Sequence, residues 1–589
     1  MHMQHLIIAI AVLFLTIASP GFSQVNQRPN IILILTDDQG YGDLGITGNP
    51  HIKTPVIDKF AKESIRFTNF YVSPVCAPTR SSLLTGRYSL RTGIRDTYNG
   101  GAIMATDEIT IAEMLKQAGY NTGIFGKWHL GDNYPCRPME QGFDESVIHL
   151  SGGMGQVGDI TTWFKGDSSY FNPVLWHNGQ QEAYKGYCSD IFTTQALDFI
   201  EKNRQQPFFC YLAYNAPHTP LQVPDKYYQQ YKNIDPASGF ENDKRPFAKM
   251  SERDKEDARK VYAMVTNLDD NIGQILKKLE QLNITNNTIV IFMTDNGPQQ
   301  TRYIAGMRGR KGSVFRGGVR VPFFIRYPAL LKGDKNIETT AAHIDILPTL
   351  AALCNASVPG DRTIDGKNLL PLIKGEKVDW SDRSLFFYWT RRYPELYNNI
   401  ALQKGNYKLV GNTNYNALIE SFELFNLQSD PYEQNNIVAA NKNIAVTLKS
   451  ELDKIYTGLV HSSNLLNPPR IIIGSKQENP VILNRNDAGG QRDIWAQEEI
   501  YGSWKVRITE GHYNIRFKFI KPVKAGGRMF LETNSIIHQQ KNDLPDTDII
   551  EMNNVYLPKM EGDFIPFYSV DSKSIFPFWV EVEKINFDR

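Results

Sequence analysis

Residues 30–36 (Asn-Ile-Ile-Leu-Ile-Leu-Thr) carry an unbroken apolar run that stops at Asp37-Asp38-Gln39-Gly40. Such a run, bounded by turn residues, is the pattern of a strand buried on both faces, as in the middle of a parallel sheet. The pattern returns at 121–125, 207–214, 288–294 and 321–326, and 65–72 reads as a further strand. Between these runs, segments 54–64, 109–118, 189–202, 251–282 and 344–353 place apolar residues at helical spacing, and Gly119 closes the second of them. Strands alternating with helices predict an α/β fold with a large, mostly parallel sheet flanked by helices. Residues 132–188 are rich in Gly, Asn and Trp, show weak periodicity, and read as long surface loops.

The pattern changes near residue 380. Segments 385–389, 400–403 and 407–410 read as short antiparallel strands and 441–457 as a helix, which together predict a small α+β subdomain. Residues 462–469 read as a linker. Beyond it, 504–508, 513–520, 528–532 and 576–583 alternate or carry β-formers between turn residues, which predicts an appended all-β, sandwich-like domain. The expected organisation is a signal peptide at 1–23, a catalytic α/β domain at 24–378, the small subdomain at 379–461 and an accessory β domain at 470–589.

Length and composition agree with this division. A chain of 589 residues is too long for one core, and 41% hydrophobic with 22% charged residues is ordinary globular composition. A net charge of +1 supplies no global field for nucleic acid or acidic membranes. The apolar run at 6–18 is too short to span a bilayer, which takes about 20 residues. With small residues before Gln24 it reads as a secretory signal, so the expected location is periplasmic or secreted. No Cys follows that run, so no lipid anchor is indicated, and no later segment reads as a membrane span. Export permits disulfides. Setting Cys76 aside leaves Cys136, Cys188, Cys210 and Cys354, with three connectivities open. Cys210 lies in a buried-strand pattern and reads as an inert core thiol. Cys136 and Cys188 sit in polar sequence, where a bridge between them is open.

The polar residues that follow the apolar strands carry the candidate chemistry. In an α/β sheet, ligands bind beyond the carboxyl ends of the strands. Asp37-Asp38 alone is an ordinary acidic turn, and Asp295-Asn296-Gly297 alone a tight turn. Because both follow strongly apolar strands, they are placed on one sheet edge. Together they form a hard oxygen set that suits Ca²⁺ better than Zn²⁺. Cys76-Ala77-Pro78-Thr79-Arg80 reads as an extended segment entering a helix. Pro78 suits the first turn, Cys76 lies at the anion-favouring N-terminus, and Arg80 offers a fork of donors one turn on. Lys127-Trp128-His129, His218 and Lys311 each have an unremarkable reading as loop, turn or surface residues when taken singly.

The string from Cys76 to Arg87, Cys-Ala-Pro-Thr-Arg-Ser-Ser-Leu-Leu-Thr-Gly-Arg, resembles the type I sulfatase signature of the alkaline phosphatase superfamily. The resemblance covers about residues 28–460. Residues 307–320 and 220–224 look most like the arylsulfatase B branch, which includes N-acetylgalactosamine-4-sulfatases and many bacterial enzymes for sulfated glycans. It implies that Cys76 is oxidised to formylglycine by a formylglycine-generating or anaerobic sulfatase-maturating enzyme. It also implies that one Ca²⁺ is held by Asp37, Asp38, Asp295 and Asn296 beside residue 76. Arg80, Lys127 and Lys311 are then expected to hold sulfate oxygens. A formylglycine hydroxyl, with Asp38 or Asp295 as its base, is expected to attack sulfur to give a sulfated enzyme. His129 is expected to take the proton that releases sulfate, and His218 to act as general acid. The expected function is a secreted sulfatase acting on a sulfated polysaccharide or oligosaccharide. The alternatives are a phosphoester or phosphonate hydrolase of the same superfamily and a non-catalytic glycan-binding protein that keeps Cys76 as a thiol.

Overall fold

The structure, a computed structural model, describes residues 28–240, 243–534 and 536–586; the expected signal peptide lies outside them. Its first thirteen strands are β1 (Asn30–Thr36), β2 (Ile65–Phe67), β3 (Phe70–Tyr71), β4 (Asn121–Lys127), β5 (Glu145–His149), β6 (Val174–His177), β7 (Gln180–Ala183), β8 (Phe208–Ala213), β9 (Thr288–Thr294), β10 (Arg320–Val321), β11 (Phe323–Arg326), β12 (Lys335–Ile337) and β13 (Ala341–Ala342). Ten of them form one sheet in the order β12-β2-β11-β9-β1-β8-β4-β5-β6-β7, and β10-β3-β13 form a small one. The five central strands, β9-β1-β8-β4-β5, are all parallel. Antiparallel pairing is confined to the flanks, where β11 joins β9 and β6 joins β5.

The apolar runs explain this layering. In β1, Ile31, Leu33 and Leu35 enter one core cluster while Ile32 and Ile34 enter the other, so consecutive apolar residues feed opposite faces. Helices Cys76–Thr85, Ile111–Gln117 and Ile346–Cys354 cover the first face. Helices Pro55–Lys62, Cys188–Lys202 and Glu252–Gln281 cover the second. The last of these starts at a Ser251/Asp254 capping box, which satisfies two of the free N–H groups at its first turn.

Two expectations are corrected, and two stretches left open gain definition. The strand expected at 65–72 is two short strands in different sheets, because the chain leaves the large sheet after Phe67. The stretch 132–188 is not simply loop: it supplies β5, β6 and β7, and β7 is so exposed that no apolar periodicity marks it. All five cysteines are free and buried, and Cys188 opens a helix rather than a loop, so no disulfide forms. A buried free Cys behaves as a small apolar residue, which accounts for Cys136 and Cys188 as well as Cys210. Finally, 462–469 is not a loose linker: Asn464 Nδ2 donates to Asp107 and Glu108, and Ser462 Oγ donates to the Leu90 carbonyl.

Strands Ser384–Tyr388, Ile400–Lys404, Tyr407–Gly411 and Glu423–Asn426 form an antiparallel meander. One face packs on helix Lys442–Val460 and the other on Tyr71, Val314 and Phe315. The C-terminal region is a two-sheet sandwich whose core joins Trp504, Val506 and Phe564 of one sheet to Ile515, Phe517 and Val580 of the other. In strand Gly502–Ile508 buried and less buried residues alternate, the signature of one face in and one face out. Among the described residues no helix is long and apolar enough to cross a membrane.

Candidate active site

Several elements deliver side chains to the carboxyl edge of the parallel strands. Thr36 of β1 pairs in register with Thr294 of β9, so the residues that follow them emerge side by side. The Asp38 N–H donates to Asp295 Oδ1 at 3.2 Å, and Asn296 Nδ2 donates to Asp38 Oδ1 at 2.8 Å. Asp37, Asp38, Asp295 and Asn296 are all buried. Asp37 Oδ1 and Asn296 Oδ1 have no hydrogen-bond partner. Ligand atoms of Asp37, Cys76 and Asp295 lie within 4.8 Å of one another, as do those of Asp37, Asp38 and His218. Two unpartnered, inward-held oxygens in an all-oxygen set fit a hard divalent cation.

Cys76 is the first residue of helix Cys76–Thr85, every residue of which is buried. Val75 before it is extended, so the helix begins at the site edge with its free N–H groups there. Burial outweighs the nearby Lys127 and Lys311 and pushes the Cys76 thiol up, so it is held neutral. One turn on, Arg80 donates to Asp295 Oδ2 at 2.9 Å and to the Lys127 carbonyl at 3.1 Å. Lys127, the last residue of β4, sets its Nζ 2.5 Å from Asp37 Oδ2. Gly126 lets β4 approach: a Cβ there would lie 1.9 Å from the Ala213 carbonyl, at a φ of +123°.

Electrostatics separates the two deepest carboxylates. Burial raises Asp37, but Lys127, His218 and Arg80 together outweigh it and hold that carboxyl well below the usual range. Burial and the charge of Asp37 push Asp295 up to about 7, against Arg80 and Lys127. Like charges in one site divide in this way.

Both histidines are fixed by one ring nitrogen. His129 Nε2–H donates to the Thr97 carbonyl at 2.7 Å, which leaves a buried, unpartnered Nδ1 as the lone pair. Burial, then Lys127, lowers its pKa well below the usual value, so the ring is neutral. His218 Nδ1–H donates to the Thr219 carbonyl at 2.7 Å, and its Nε2 lies 3.7 Å from Asp38 Oδ2. Burial and Lys311 lower His218 to about 4, against the pull of Asp38 and Asp37. Asp38 and His129 both adopt left-handed backbone, with φ of 60° and 62°, a strain of about 1–3 kcal/mol each that clusters at functional sites.

Cys76, His129, His218 and Lys311 line a cavity of about 640 Å³. Lys311 Nζ reaches Asp38 Oδ1 at 2.7 Å from the cavity rim. Arg80 and Lys127, expected with Lys311 on the sulfate, lie just beneath the cavity lining and pair with Asp295 and Asp37. His149 enters without warning from the sequence pattern. It ends β5 in register with Lys127, is fully buried, and neither ring nitrogen has a partner. Its only signal is a His closing a short Val-Ile run within the stretch read as loops. The cavity is also walled by Trp389 and Arg391 of the meander region and by Arg492 and Trp495 of the sandwich.

Residues 29–356 match the Sulfatase family, and residues 310–457 match the N-sulphoglucosamine sulphohydrolase C-terminal family. The human N-acetylgalactosamine-6-sulfatase is 32% identical over 408 residues, which span 62% of this chain and 70% of that one. An N-acetylgalactosamine-6-O-sulfatase of Bacteroides thetaiotaomicron is 29% identical and covers 74% of this chain and 94% of its own. The crystal structure of Ps i-CgsB in complex with k-i-k-neocarrahexaose superposes with a TM-score of 0.64 at 30% identity, over 74% of this chain and 94% of that one. The chain with this carboxylate-, histidine- and lysine-lined cavity belongs to the sulfatase family, the sulfuric ester hydrolases of the alkaline phosphatase superfamily.

Proposed function

We propose that this protein is an exported enzyme that removes sulfate from a sulfated glycan, with residue 76, converted from Cys to formylglycine, as its nucleophilic centre. The observation that carries the reading is the convergence of Cys76, His129, His218 and Lys311 on one cavity backed by Asp37, Asp38, Asp295 and Asn296. A thiol kept neutral by burial is a poor nucleophile, which supports chemical conversion of Cys76 over direct thiol attack. Once converted, residue 76 would supply a hydrated aldehyde, and with it a hydroxyl nucleophile for sulfur. The four oxygen ligands would hold one Ca²⁺, which supplies positive charge beside the sulfate.

The chain's own groups divide the remaining work. Lys311, on the rim, meets a sulfate oxygen. Arg80 and Lys127, paired with Asp295 and Asp37 beside residue 76, are close enough to that residue to join Lys311 on the sulfate oxygens. His129 Nδ1 is the neutral acceptor for the proton lost at residue 76 when sulfate departs. His218 Nε2 carries the proton that the leaving sugar oxygen takes up, so that oxygen departs as an alcohol rather than an alkoxide. An anionic ester beside His218 favours its charged form and so opposes the burial and Lys311 that lower its resting pKa to about 4. Charged hydrogen bonds of this kind are worth about 1.5–3 kcal/mol each.

A sugar ester is favoured over a small aryl sulfate because the cavity exceeds what a sulfate group fills and has aromatic walls. The named relatives act on, or were crystallised with, sulfated carbohydrates. Sulfate release from a panel of sulfated oligosaccharides, beside phosphate release from matched phosphate esters, tests the reading. Sulfate release from at least one glycan with little phosphate release is expected. The reverse preference would overturn it.

A further inference from the structure

The family matches end at residue 457, yet the cavity is walled by Arg492, Asp493, Trp495 and Ala496. The sandwich therefore reaches into the candidate site, and its approach is fixed by hydrogen bonds. The Asn99 side chain accepts from the Gly490 N–H at 2.9 Å and donates to the Gly490 and Gln491 carbonyls. Tyr98 Oη donates to the Arg492 carbonyl at 2.8 Å, and the Tyr98 and Trp495 rings lie 5.2 Å apart. Thr97, the neighbour of Tyr98, accepts from His129. One loop thus orients the catalytic histidine and holds the sandwich segment. Gly152 gives an independent marker of distance. A Cβ there would lie 3.1 Å from His129 Nε2 and 3.8 Å from Trp495 Cη2, so the indole edge stands beside His129.

We propose that the segment 491–496 of the sandwich is the part of the active site that recognises the sugar carrying the scissile sulfate. Trp495 is the platform on which the sugar face rests, and Arg492 is the partner of a second anionic group on the substrate. The inference rests on the reading that this cavity hydrolyses sulfate esters. Trp495 is half-buried, pinned on one side by Tyr98 and open on the side that lines the cavity. Arg391 is already bound, 3.1 Å from Asp96 and flanked by the Tyr98 and Trp389 rings. Arg492 is exposed and, among the described residues, its side chain makes no hydrogen bond or ion pair. Lys311 and Arg391 are paired with Asp38 and Asp96, so Arg310 and Arg492 face one carboxylate, Asp493, around the cavity mouth and leave a cation over. One sulfate does not need that excess, whereas a sugar with a further sulfate or carboxylate does. A guanidinium fork suits either group.

Trp495→Ala and Arg492→Ala, made in the full chain and matured as the wild type, test the proposal. The substrates are nitrophenyl sulfate and a sulfated oligosaccharide with two anionic groups per repeat. For both variants, kcat/KM on the oligosaccharide should fall at least tenfold further than on nitrophenyl sulfate, mainly through KM. Arg492→Ala should also flatten the salt dependence of oligosaccharide turnover, and Arg492→Lys should restore part of it. Arg507→Ala, on the sandwich at its ion pair with Glu561 and outside the cavity, should leave both substrates unaffected. Equal losses on the two substrates, or no loss, would overturn this inference alone. A wild type that releases sulfate from neither substrate would overturn the sulfatase reading, and this inference with it.

Discussion

His218 is the residue whose proposed role is easiest to separate from simple binding. Its Nδ1 is spent on the Thr219 carbonyl, so Nε2 alone faces the reaction. A proton donor matters most when the leaving group is poor. His218→Ala should therefore cost about 10²–10⁴-fold on a sugar sulfate and much less on an activated nitrophenyl sulfate. Equal losses would move His218 to sulfate binding. The pH profile follows from the same residue. Its resting pKa is lowered to about 4, and the acid form is the active one. Wild-type turnover of the sugar sulfate should therefore fall as pH rises through the value His218 holds in the substrate complex, and His218→Ala should remove that limb. At this scale, the Cys76–Arg87 string was the legible part: Asp37, Asp38, His129, His218, Asp295 and Lys311 are unremarkable singly and were picked out by their order relative to that string and by following apolar strands. His149 was not, because a single His after two apolar residues is common and only the register with Lys127 brings it to the site. The pairing of Arg80 with Asp295 and of Lys127 with Asp37 was equally hidden, since spacing reports that a cation is near but not which anion it reaches.

At the scale of elements, the site exists because β1 and β9 are neighbours and end in register. Asp37 and Asp295 are 258 positions apart in sequence yet leave adjacent strands, and burial together with the charge of Asp37 pushes Asp295 up to about 7. Asp295→Ala removes one oxygen ligand and strands Arg80. Bound calcium, measured by metal analysis of the purified protein, should drop below one equivalent together with activity. Stoichiometric metal retained by the variant would contradict the ligand assignment. The long central strands were legible because each is an unbroken apolar run. The shorter strands β5, β6 and β7 were not, because strands of four or five residues carry too few positions for a period to show, and β7 at the sheet edge is wholly exposed.

Across the whole molecule, the sandwich is bound to the catalytic region by buried polar groups, a joint that the sequence pattern did not announce. The Asp132 N–H donates to Asp487 Oδ2 at 2.9 Å, and Asn484 Nδ2 donates to Asp132 Oδ2 at 2.7 Å. Burial, then the charge of Asp487, raises Asp132 well above the usual range, and burial raises Asp487 to about 6. Folded protein therefore holds protons here that the unfolded chain has released above about pH 4. The stability this pair contributes is present below that pH and is lost as pH rises through about 6, since the native state binds more protons across that interval. The thermal midpoint should fall between pH 5 and pH 7.5, and Asp487→Asn should make it flatter by keeping a neutral partner at the joint. A variant with an unchanged slope would remove these carboxyls from the account.

All of this serves one claim, that chemistry at residue 76 releases sulfate. Preparations made with and without a maturating enzyme will differ in the fraction of Cys76 converted to aldehyde, which peptide mass spectrometry quantifies. The initial rate of sulfate release from a sulfated oligosaccharide should rise in proportion to that fraction and extrapolate to zero at zero conversion. Full turnover by protein that holds only the thiol at position 76 would contradict the account.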